Sequence, residues 1–155
     1  MPSIRKPKFS VAHPDIELVS LVEKTDQETL ALWAIECARR VLPFFEEKFP
    51  NDQRPGKALV TLQEWITTGL FSMKVIRKAS LDSHAAARGA EEDSPARSAA
   101  RACGQCVATA HVPRHAYGAA IYAQQAIFNA TDGDAAPEAA KKERNWQYKR
   151  LQELI

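Results

Sequence analysis

Alanine fills 26 of the 155 positions, and 20 of those alanines fall between Ala85 and Ala140. No other residue has a better intrinsic helix propensity. Within this window the apolar residues recur at helical spacing. Ala96, Ala99, Ala100, Cys103, Val107 and Ala110 form one stripe, and Ala116, Ala119, Ala120, Ala123 and Ile127 form a second. Nowhere does a run of β-branched or aromatic residues alternate with polar ones for more than a few positions, so strands are not expected. The reading is an all-α chain in which alanine-faced helices approach closely. Such faces pack within one chain or between two copies, which leaves a homodimer open.

Punctuation along the chain sets the expected helices. Pro14 and Asp15 open one that runs to about Glu23. Thr25-Asp26-Gln27-Glu28 fits a capping box in which the Thr25 hydroxyl and the Glu28 carboxylate satisfy the first free amides. The helix that follows carries Leu30, Trp33, Ala34, Cys37 and Val41, with a kink or fresh turn expected at Pro43, which has no amide to donate. After a loop around residues 51–56, Ala58, Leu62, Trp65 and Ile66 mark a helix that Gly69 should end. Another spans about 74–90, and Ser94-Pro95 starts the next with a hydroxyl cap and a proline where no amide is needed. Pro113 separates the two alanine-rich helices, residues 131–134 form a turn, and a charged helix from Pro137 to Leu154 closes the chain. The expectation is one compact bundle over 1–155, of about six to eight helices with short connections, and with residues 1–13 extended or flexible.

Composition excludes several classes. With 45% hydrophobic and 26% charged residues, 21 Lys plus Arg against 19 Asp plus Glu, the chain resembles an average globular domain of net charge +2. That balance announces no nucleic-acid face. No apolar run follows the basic residues Arg5, Lys6 and Lys8, and the uncharged stretch 102–112 is far short of a membrane span; a cytoplasmic location is expected. Three cysteines, an odd number, point to thiols rather than a disulfide framework.

The candidate chemistry is sparse. Cys103 and Cys106 have CxxC spacing, yet Cys103 lies on the apolar stripe, so buried structural thiols are expected. His84, His111 and His115 are the residues that would form a metal site if there is one, with His111 and His115 on two sides of the corner at Pro113. No HExxH or ExxH pair accompanies them, and histidines bonding carbonyls in that corner are the simpler reading. Asp52 is expected to cap a helix and Arg54 to pair with Glu46 or Glu47. Trp146 and Tyr148 lie among Lys141, Lys142, Arg144, Lys149 and Arg150, but Glu138, Glu143 and Glu153 dilute the charge, so a solvated face is expected there rather than a nucleic-acid site. No nucleophile elbow, phosphate loop or carboxylate pair is present, and neither enzyme activity nor a cofactor is expected.

Several stretches in combination carry a resemblance. They are Leu30-Ala31-Leu32-Trp33-Ala34; Cys37 through Pro43 with Phe45-Glu46; Asp52 and Arg54-Pro55; Trp65; His84-Ala85-Ala86-Ala87-Arg88; Ala99-Ala100-Arg101-Ala102; Val107 through Val112 with His115-Ala116; Tyr122-Ala123; Glu143-Arg144; and Trp146-Gln147. From about Asp26 to Leu151 the chain resembles immunity proteins related to the fifth class of immunity domains in bacterial polymorphic toxin systems. The resemblance implies a small cytosolic all-α protein that protects the producing cell by binding a cognate toxin. It also implies that Glu46, Asp52, Arg54, His84, Arg88, His111 and His115 cluster, as a polar core network or a recognition site. The chain departs at Gly104-Gln105-Cys106, where the family pattern has a histidine and an alanine after the small residue. An inhibitor of this kind acts stoichiometrically through about 800 Å² per partner. Only Glu91, Glu92 and Asp93 concentrate acid, so the expectation is either local acidic patches or a toxin that is not a nuclease. Two alternatives stay open: a metal or small-molecule enzyme built on the three histidines, and nucleic-acid binding through the last helix.

Overall fold

The computed structural model describes residues 8–11 and 14–155. Among these, α1 spans Ile16–Glu23, α2 Gln27–Lys48, α3 Arg54–Thr68, α4 Met73–Arg88, α5 Pro95–Ala108, α6 His115–Ala130 and α7 Ala136–Leu154, with a short 3-10 turn at Gly133–Ala135. The described residues contain no strand, and the all-α expectation holds. The expectation for residues 1–13 lies largely outside the described residues; within it, residues 8–11 carry no helix, and Phe9 packs edge-on against Phe128 at 5.5 Å.

Local chemistry explains most boundaries. Asp15 caps α1 by accepting from the Leu18 amide, Ser94 caps α5 by accepting from the Arg97 amide, and Gly69 ends α3 at φ +69°. Two expectations are corrected. Asp26, not Thr25, caps α2, accepting from the Thr29 amide at 2.7 Å, while the Thr25 hydroxyl donates to the Leu21 carbonyl and closes α1. Helix α2 also runs through Pro43 for 22 residues, so no fresh turn begins there. Pro43 and Arg39 both face solvent, so the carbonyl that loses its amide partner is open to water. Buried Val41, Leu42 and Phe45 meanwhile hold both sides of the proline in the core.

Helix α5 is the hub, packed against α2, α3, α4 and α6. Its buried residues are Ala96, Ser98, Ala99, Ala100, Ala102, Cys103, Gly104, Cys106 and Val107, none larger than valine. A helix so slim on every side can be surrounded by four others. Helix α7 closes the bundle on α2 and α6. The Trp33 indole donates to the Gln147 carbonyl at 2.9 Å, and the Gln147 amide donates to the Ala120 carbonyl at 3.0 Å. Three arginines then clamp its length. Arg40 holds Glu143, Arg144 holds Asp15, and Arg150 holds Glu36, each through two guanidinium nitrogens.

Candidate functional site

The seam between α4, α5 and α6 gathers polar side chains. Two serines of α4 reach carbonyls of α5, Ser80 that of Gly104 at 2.9 Å and Ser83 that of Ala100 at 2.8 Å, which draws the helices together. The His84 ring then lies directly on Gly104, where an added Cβ would sit 2.6 Å from Nε2. Its Nδ1 is 3.1 Å from Nη1 of Arg101. A guanidinium only donates, so Nδ1 accepts and the ring is neutral with its proton on Nε2. Burial, then the charges of Arg101 and Arg88, hold the His84 pKa down at about 4. One residue along α5, Gln105 Oε1 lies 2.8 Å from Nδ1 of His115 and rests against Gly118 of α6. Burial pulls His115 below its ordinary pKa as well.

The seven residues singled out from the sequence fall in several places. His84 and His115 share the seam, near enough to feel each other's charge, and Arg88 adds to the field at His84. His111 is exposed at the corner and stacks on Phe71 at 6.4 Å. The three histidines thus meet side chains, not the corner carbonyls expected. Arg54 pairs with Asp52 rather than with Glu46 or Glu47, through contacts of 2.9 and 2.7 Å, because a carboxylate two residues back is already within reach. Glu46 is exposed on α2. Among the described residues, no hydrogen bond or ion pair ties Glu46 or the Asp52–Arg54 pair to a histidine, and no three His, Cys, Asp or Glu side chains gather as a metal site would need. Cys37, Cys103 and Cys106 are free and fully buried, and burial pushes each thiol pKa up, which suppresses the thiolate.

Arg101 and Gln105 were not singled out from the sequence as site residues. Each meets its histidine from a different helix, and only the register between α4, α5 and α6 brings them together. A second unforeseen feature is the outer face of α4. Lys74, Arg77, Lys78 and Arg88 stand on this helix against Asp82 alone, a net charge of +3 where the whole chain carries +2. Leu70, Phe71, Met73, Val75 and Leu81 are exposed on α4 and the loop before it, Leu81 to 60% and Leu70 to 79%. A groove of about 220 Å³ lined by Met73, Ile76, Arg77, Leu81, Ala108 and His111 joins this face to the corner. Helical spacing of the cations from Lys74 to Arg88 was the signal that would have revealed it. On α7, by contrast, Arg144 and Arg150 are engaged in ion pairs. Arg40 covers the Trp146 ring at 3.8 Å, and Arg144 lies 4.9 Å from the Tyr148 ring centre.

Fold and surface together define an all-helical bundle that presents one basic, partly apolar helix face. A family model described as "Imm-5 like putative immunity protein" matches residues 20–154, from within α1 to the end of α7, and the chain belongs to that family. No curated protein and no solved structure matches the chain. Among the described residues no helix is long and apolar enough to cross a membrane.

Proposed function

We propose that this chain neutralises a cognate bacterial toxin by stoichiometric protein–protein binding. The observation that carries this reading is membership of an immunity-protein family over the whole bundle. The exposed apolar residues of the α3–α4 loop and α4 supply what such a complex needs, because contiguous apolar surface on a small soluble protein marks contact sites. In this reading His111 enters the contact surface through its stack on Phe71, while His84 and His115 brace the seam that carries α4. Arg88 stands at the end of α4 and Arg54 lies beside the same helix.

The test is co-expression with the products of the genes flanking this one, screened first for one that arrests growth. Restored growth, together with a complex of fixed stoichiometry by light scattering on a sizing column, is the expected result. A toxin that kills equally with and without the chain, and elutes apart from it, overturns the proposal.

A further inference from the structure

We infer that the outer face of α4, with the loop before it, receives an acidic surface of the toxin bearing an apolar projection, so that inhibition acts at an acidic patch and not in a basic nucleic-acid cleft. The inference rests on the toxin-binding reading above and deepens it.

Charge is the first argument. Lys74, Arg77 and Arg88 pair with no carboxylate among the described residues, and the one carboxylate of the helix, Asp82, is taken by Lys78 at 2.6 Å. Cations covered by a partner must regain in the complex what they lose in hydration, and carboxylates are the groups that restore it. The second argument is the apolar part. Leu70, Phe71, Met73 and Leu81 stand among those cations, and the groove ending at His111 is floored by Ile76 and Ala108. A phosphate backbone offers nothing to these side chains, whereas a protein surface with an apolar side chain in the middle of acids matches both halves. A second copy of the chain is disfavoured by the same arithmetic, because two-fold pairing of this face sets like charges against like.

The experiment measures binding of the toxin found by that co-expression screen, made as an inactive point mutant, to the full chain by surface plasmon resonance at several salt concentrations. Three variants are compared: Arg77→Glu with Arg88→Glu, Phe71→Ser with Leu81→Asp, and Lys141→Glu with Lys149→Glu on exposed positions of α7 as a control of equal charge change. All three alter exposed side chains, and unchanged urea midpoints establish that they fold. The expected result is a Kd raised about tenfold or more by either α4 pair, within about twofold of the parent for the α7 pair, and an association rate that falls as salt rises. Parent-like binding by both α4 pairs overturns the inference while leaving toxin binding intact. Absence of binding by the parent overturns the function and the inference together. A dimer of this chain that Phe71→Ser with Leu81→Asp dissolves overturns it too. So does salt-sensitive binding of duplex DNA or of phosphatidylserine vesicles that the Arg77→Glu pair abolishes while toxin binding persists.

Discussion

His84 and Gly104 are two halves of one feature. Glycine inside a helix ordinarily gives up about 1 kcal/mol relative to alanine. Here the imidazole occupies the space a methyl group would take, with three ring atoms within 2.9 Å of the added Cβ. Gly104→Ala is therefore expected to destabilise the chain by about 1 kcal/mol, because displacing the ring also breaks the Arg101 contact. In a His84→Ala background the same substitution should become stabilising by a similar amount, and urea titration of the four proteins reads the change of sign. Gly118 is the useful contrast, since the atom in its way is the mobile end of Gln105. The lowered pKa of His84 has a second consequence. A base whose folded pKa, about 4, lies below its unfolded value near 6.5 binds its proton more readily unfolded, so its contribution is full above pH 6.5 and is lost as pH falls toward 4. Allowing for the ring's partial exposure, that contribution is about 1–2 kcal/mol. Stability should fall between pH 7 and 4.5 in the parent and by visibly less in His84→Gln; equal slopes would refute the assignment. His115 acts in the same direction.

At the scale of elements, the boundaries legible in the sequence were those set by one or two residues acting locally. Ser94, Asp15 and Gly69 each do in the structure what their chemistry dictates. Pro43 was illegible because the term that wins there is tertiary. Burial of Val41, Leu42 and Phe45 by neighbouring helices outweighs the lost bond, and nothing near Pro43 in the sequence reveals those neighbours. Pro43→Ala should raise stability by about 1–3 kcal/mol by returning an amide to the ladder, and a lower urea midpoint would contradict that account. The seam failed to show for a related reason. Arg101 lies 17 residues from His84 and Gln105 lies 10 from His115, and only helix register joins them. The clamps on α7 should differ sharply in strength. Glu143 is 5% exposed, so Arg40→Ala leaves a buried carboxylate without its partner and should lower stability by about 2–3 kcal/mol, discounted for the partly exposed arginine. Arg150→Ala breaks a pair that is one-third exposed on both sides, where water screens the charges, and should lower it by clearly less. Thermal melts of the two variants compare them directly.

For the molecule as a whole, the hub position of α5 predicts where opening is rarest. Amides of α5 and of the middle of α2 should exchange with deuterated water only through global unfolding, while those of the α3–α4 loop exchange early, because a helix enclosed by four others cannot open alone. Exchange in α5 as fast as in that loop would show that the hub is not the last element to open. The all-helical bundle and its alanine faces were readable from composition and period, since both are averages over many residues. The basic face was hidden, because the even balance of the full chain masks the surplus on one helix. That helix is bound to the body through Ile76, Ala79, Ser83, Ala86, Ala87 and the seam, so positions on its outer face, such as Arg77 and Leu81, carry little of the packing. Under the proposed function, an arms race between inhibitor and toxin can run on those positions. On that reading, relatives can turn to new adversaries by exchanging a few surface letters above an unaltered interior, and kinship in the bundle foretells little about which toxin each one meets.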